Sequence, residues 1–178
     1  MPTRFTSPSL TISADRIGLN QTGAHRTGVP HLELTLQFAV SRSGLPVPAL
    51  FRQWARAALV ETTAATLRLV NRAEALELNS RYRHRHYATN VLTFAYPDTC
   101  PLSGDIVLCI PVIRDEARQQ RKSLQAHLAH LTVHGMLHLQ GFDHETGQDA
   151  ELMEGIETEI VTKLGYADPY ANSTRMNQ

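Results

Sequence analysis

The sequence predicts a single α+β domain, a small mixed β-sheet packed with helices, with a metal site at a helix C-terminus and in the loop that follows. Three observations predict it. A length of 178 residues suits one domain and would crowd two. Alternating and β-rich runs come early, ending near Ile110. From Pro111 onward the apolar residues recur at helical spacing. Helices that flank and follow the strands, rather than alternating strictly with them, mark the α+β class.

The elements follow in order. Residues 1–30 are rich in Ser, Thr and Gly and read as a flexible N-terminal arm. An organelle transit segment shares that bias, but no amphipathic helix is evident here. From His31 to Val40, Leu32, Leu34, Leu36, Phe38 and Val40 alternate with Glu33, Thr35 and Gln37, the pattern of a half-buried strand. Pro48 suits the first turn of a helix running through Ala58, with Leu50, Phe51 and Trp54 on one side. Ala65 to Val70 reads as a second strand and Arg72 to Ser80 as a short helix. Asn90–Phe94 and Asp105–Ile110 are short β-rich runs, separated by a loop holding Pro97, Pro101 and Gly104. One helix then runs to about Arg121. The next starts at Ser123, a suitable N-cap, and carries Leu124, Leu128, Leu131, His134 and His138. The last, Asp149 to Leu164, aligns Leu152, Ile156, Ile160 and Leu164 and stops at Gly165. The domain therefore spans 31–166, and 167–178 form a C-terminal tail.

Composition excludes several classes. Lys plus Arg and Asp plus Glu both total 17, for a net charge of zero. Such a chain has no global basic field, so an anionic partner must be held by a local patch. No apolar run approaches the roughly 18–20 residues that cross a bilayer. The start lacks the charged and apolar blocks of a secretion signal. Cys100 and Cys109 read as reduced thiols of a cytoplasmic protein, not a disulfide scaffold.

The chemistry concentrates in His134-Gly135-Met136-Leu137-His138-Leu139-Gln140-Gly141-Phe142-Asp143-His144. His134 and His138 are one helical turn apart, with Cβ atoms about 5–6 Å from each other on one face. Gly141 can end the helix in a left-handed conformation. His144 can then return to the same ion. Three imidazoles leave a tetrahedral ion one open position, the catalytic arrangement. One zinc ion per chain is the expected cofactor; other divalent transition metals also accept imidazole. The spacing matches that of metzincin-type zinc proteases, but Gly135 stands where those have a glutamate general base. A peptidase is therefore disfavoured.

The same run resembles the signature of the YbeY family, His-Gly-x-Leu-His-Leu-x-Gly-(Tyr/Phe)-Asp-His, with every fixed position filled. Leu78-Asn79-x-x-Tyr82-Arg83 with Thr89-Asn90-Val91-Leu92-Thr93-Phe94 resembles a second family signature, and Gly104-Asp105-Ile106 a third. The resemblance extends over about 31–166. It implies a cytoplasmic, zinc-dependent endoribonuclease that acts on single-stranded RNA. It further implies maturation of ribosomal RNA, chiefly the small-subunit 3′ end, and ribosome quality control. Ribosomal particles and ribosome-associated proteins are then the expected partners. The chain departs from the pattern at His84-Arg85-His86, where a glycine and mixed charges are expected after Arg83.

Through this resemblance Arg83 is the candidate catalytic residue, because a guanidinium binds a phosphate bidentately and keeps its charge. Arg81 and Arg85 flank it in a basic run interleaved with Tyr82 and Tyr87, a composition that grips single-stranded nucleic acid. Arg114, Arg118, Arg121 and Lys122, diluted by Asp115 and Glu116, read as a solvated helix face. His130 shares the face of His134 and reads as a supporting or core residue, and His127 as a surface one. Asp143 reads either as an orienter of a ligand imidazole or as a cap of the turn. Asp105 reads either as a support for the loop near the site or as a turn residue. The alternative function is a metal-stabilised ribosome-assembly factor with little nuclease activity of its own.

Overall fold

The computed structural model describes residues 29–142 and 147–171. Among these, four strands form one mixed sheet: β1 (Leu32–Phe38), β2 (Thr63–Val70), β3 (Val91–Tyr96) and β4 (Leu102–Cys109). Their spatial order is β1-β2-β4-β3. β1 runs parallel to β2, and β2 to β4, while β3 runs antiparallel to β4. The helices are α1 (Pro48–Ala57), α2 (Arg72–Arg83), α3 (Ile110–Gln119), α4 (Leu124–Leu139) and α5 (Gly147–Lys163). The expected α+β class is the observed one.

The caps explain where the helices start and stop. Pro sits in the first turn of α1 and of α3. The Ser123 hydroxyl accepts from the Ala126 N–H at 3.1 Å, as a Ser N-cap should. The Asn71 side chain likewise accepts from Glu74 N–H at 3.0 Å. That cap, together with a left-handed His84 at the far end, lets α2 reach Arg83 rather than stop at Ser80. Gly141 and Gly165 take φ of +85° and +88°, where a Cβ would be strained. β4 begins at Leu102, earlier than its β-branched run suggests, because it is paired on both sides. A Cβ on Gly104 would collide with the Phe94 carbonyl and Leu139, so only glycine lets α4 lie this close to the sheet.

The sheet separates two cores. One face carries Ala65, Leu67, Leu69, Ile106 and Leu108, covered by α1, α4 and α5. The other carries Val70, Leu92, Val107 and Cys109, with Ala75 and Leu78 of α2 over it. In the larger core Phe51 and Trp54 are fully buried with their rings 5.0 Å apart, and the Trp54 indole N–H donates to the Tyr166 hydroxyl at 3.2 Å. Trp54→Ala is expected to cost about 3–5 kcal/mol, read from denaturant unfolding.

Two expectations need correction. α5 was expected to bury Leu152, yet Leu152 is 37% exposed, and the buried residues are Met153, Ile156, Glu157 and Val161. The inward stripe is rotated because it carries a glutamate, which apolar counting places outside. His127, read as a surface residue, is only 4% exposed, because its Nε2 meets Glu116 Oε2 at 2.7 Å. That partner comes from α3, which sequence spacing alone does not bring there.

Candidate metal centre and phosphate-binding loop

Helix α4 carries His127, His130, His134 and His138 at intervals of three and four, so their rings form one ladder. Successive ring centroids lie 6.2, 6.3 and 4.5 Å apart. The shortest gap is at the C-terminal end, where His134 Nε2 and His138 Nε2 approach to 3.1 Å. Two ligands about 2.0–2.1 Å from a tetrahedral ion stand roughly 3.3 Å apart. The pair therefore fits one shared cation. His144 and Asp143 lie outside the described residues.

Behind this pair sits a residue that the sequence reading missed. Glu157 of α5 has a side chain only 1% exposed. Its Oε1 receives His134 Nδ1 at 2.7 Å, and its Oε2 receives His130 Nε2 at 2.8 Å. The Tyr170 hydroxyl also donates to Oε2. His130 and His134 are thus joined through Glu157. Burial alone would raise the Glu157 pKa, but the His130 and His134 hydrogen bonds outweigh it and hold the carboxyl down to about 2. Burial, then the Glu157 carboxylate, raises the Tyr170 phenol. One signal for Glu157 was available: an ionisable residue on the same helical stripe as Met153, Ile156 and Val161.

The depressed acid has a sign. A carboxylate whose folded pKa lies below its unfolded value stabilises the fold above the unfolded value. That contribution is full above about pH 4.5 and fades as the pH falls toward about 2. Unfolding free energy measured across that window is expected to fall more steeply for the wild type than for Glu157→Gln.

Gly135, between the two histidines, points at the sheet. A Cβ there would lie 2.7 Å from Cγ2 of Ile106, itself fully buried and β-branched. No carboxylate fits at that position, which removes the general base of the protease-like alternative. Gly135→Ala gains about 1 kcal/mol of helix propensity but overpacks the contact. It is expected to lower stability by about 1–2 kcal/mol net, read as a reduced Tm.

The basic loop is built by α2. Arg81, Tyr82, Arg83, His84, Arg85, His86 and Tyr87 are all exposed. Their backbone is nonetheless anchored. Asn79, 2% exposed, donates its side-chain amide to the Tyr87 carbonyl at 2.8 Å. The Asn79 carbonyl accepts from Arg85 N–H at 3.3 Å, and the Ser80 hydroxyl donates to the Arg85 carbonyl at 3.2 Å. His84 has φ +55°, so the position keeps the left-handed turn that glycine adopts freely.

The structure brings the two groups to one end of the sheet, on opposite faces. Tyr82, next to Arg83, stacks edge-on against Phe94 at 5.1 Å. Leu139, next to His138, abuts Gly104 from the other face. Ala95 pairs with Gly104 and Phe94 with Asp105 in register, on edge strand β3. Asp105 is not brought to the histidines. Strand alternation turns it to the α2 face, where it accepts from the Tyr96 hydroxyl and lines a cleft with Arg68, Glu74 and Tyr82.

In the second basic patch, three of the four side chains are engaged, with Lys122 donating to the Pro169 carbonyl. Arg118 pairs with Asp115 at 3.0 Å, and Arg114 donates to the Ser43 carbonyl at 3.0 Å. Cys100 and Cys109 are both unpaired thiols. No helix among the described residues is long and apolar enough to cross a membrane.

Comparison with known proteins agrees with the signatures. The family model "Endoribonuclease YbeY" matches residues 47–165. The protein named Endoribonuclease YbeY of Nitrosomonas europaea is 54% identical over 139 residues, covering 78% of this chain and 85% of that protein. The protein of the same name from Aromatoleum aromaticum is 53% identical over 148 residues, covering 82% and 96%. A solution structure of TM1509 from Thermotoga maritima covers 78% of this chain and 97% of that one, with TM-score 0.49 and 22% identity.

Proposed function

Because the chain belongs to the YbeY endoribonuclease family, we propose that it is a zinc-dependent endoribonuclease. Its substrate is single-stranded RNA, and its task is maturation of ribosomal RNA, chiefly the small-subunit 3′ end, with a part in ribosome quality control. It works in the cytoplasm on ribosomal particles, alongside ribosome-associated proteins. The observation that carries the metal part of this reading is the 3.1 Å approach of the His134 and His138 Nε2 atoms. His134 and His138 would hold the ion together with His144. When bound, zinc supplies Lewis-acid polarisation of a phosphoryl oxygen.

The chain's own groups do the rest. Arg83 offers a planar, permanently charged fork to the scissile phosphate as negative charge gathers on its oxygens. The anchored backbone of 84–87 supports this role, because a fixed loop spends less entropy in aligning the fork. Arg81 and Arg85 hold neighbouring phosphates, and the exposed rings of Tyr82 and Tyr87, 54% and 59% accessible, offer stacking faces to unpaired bases. RNA brings its own 2′-hydroxyl to the reaction. Asp143, beside His144 in sequence, is the proposed orienter of a ligand imidazole.

Mapping of small-subunit rRNA 3′ ends in cells depleted of the protein tests the assignment. Extended 3′ ends that mature again when wild type, but not Arg83→Glu, is resupplied are expected. Fully matured ends during depletion would rule out the rRNA role.

A further inference from the structure

We infer that Glu157 is the positioning residue for metal ligand His134, and that Tyr170, from the chain beyond α5, holds Glu157 in place. The inference rests on the metal reading above. Its grounds are the arrangement of one buried carboxylate. Glu157 lies among Met153, Ile156 and Val161, where an apolar side chain would pack at lower cost than a charge. Both of its oxygens are nevertheless engaged. Oε1 is committed to His134 Nδ1 at 2.7 Å, and Oε2 to His130 Nε2 at 2.8 Å and to the Tyr170 hydroxyl. A carboxylate on Nδ1 keeps the imidazole proton there and presents the Nε2 lone pair, fixes ring rotation, and makes the nitrogen a stronger donor. His134 Nε2 is the atom that meets His138 Nε2 at 3.1 Å. The carboxylate is thus on the far edge of the ring from the proposed ion.

Tyr170 is itself tied down. Its backbone N–H donates to Asp168 Oδ1 at 2.8 Å, and Thr158 of α5 donates to that same oxygen at 3.3 Å. Lys122, just ahead of α4, donates to the Pro169 carbonyl. The short segment 168–170 therefore straps α5 to the start of α4 and aims the phenol at Glu157. His134, Glu157 and Tyr170 line one cleft with Met153 and Glu154. Zinc affinity is in this way coupled to a segment after the last helix that contributes no ligand.

The test is zinc affinity of the full chain, by competition with a chromophoric chelator, for wild type, Glu157→Gln, Tyr170→Phe and His134→Ala. Thermal unfolding of the metal-free proteins is measured on the same preparations. Glu157→Gln is expected to weaken zinc binding by about 10–100-fold. Tyr170→Phe keeps the carboxylate and is expected to fall between Glu157→Gln and wild type; it also serves if Glu157→Gln does not fold. Long-range ¹H–¹⁵N spectra are expected to show the Nδ1-protonated tautomer of His134 in the wild type and a tautomer mixture in Glu157→Gln. Wild-type zinc affinity in Glu157→Gln and Tyr170→Phe, with loss in His134→Ala, would overturn the positioning role and leave the metal centre standing. A lowered unfolding temperature with unchanged zinc affinity would also overturn it, by making Glu157 a structural group alone. A wild type that binds zinc no better than His134→Ala would overturn the metal reading and this inference with it.

Discussion

His138→Ala is expected to lose its zinc and to cleave RNA at least about 100-fold more slowly, since outer partners of metal ligands alone typically account for 10–100-fold in metal affinity or activity. The geometry makes the effect specific. His138 is the residue whose Nε2 comes within 3.1 Å of His134 Nε2, so deleting it removes one of two adjacent donors and leaves the helix otherwise intact. His138 has no part in the Glu157 hydrogen bonds, which run through His130 and His134. Elemental analysis and far-UV circular dichroism on one preparation separate loss of metal from loss of fold.

Arg83→Glu is expected to keep zinc and fold and to lose cleavage by about 10²–10³-fold or more, the scale of a deleted transition-state charge donor. Arg83 is the last residue of α2 and is exposed, so the substitution creates no cavity and buries no charge. The loop beyond it is secured by Asn79 and Ser80, not by the guanidinium, so its shape should survive. Reversing the charge also repels the substrate phosphate, and the loss should therefore exceed that of Arg83→Ala. Single-turnover cleavage rates of the two variants check the order.

Much of this was legible in the chain itself. The alternation of Leu32 to Val40 and the cap at Ser123 are local signals, and the elements formed close to where they pointed. Gly141 and Gly165 were readable because a left-handed turn leaves a composition mark. The illegible parts were all long-range. Glu157 gains its partners only when α5 packs against α4 and brings His130 and His134 to it. His127 looked solvated until Glu116 of α3 reached it. Asp105 sits in a family signature, yet a strand's two-residue period decides its face, and its place in that period depends on where β4 begins. Spacing thus recovers what one helix does alone, and it is silent on which helix supplies the second partner.

The most direct test of the central claim measures zinc content and cleavage of a single-stranded RNA from the small-subunit 3′ region together. Wild type, His138→Ala and Arg83→Glu are purified identically. The account predicts one zinc ion per chain and cleavage for wild type, neither for His138→Ala, and zinc without cleavage for Arg83→Glu. Equal residual cleavage in all three would contradict it, marking the activity as a contaminant and favouring a metal-stabilised assembly factor instead.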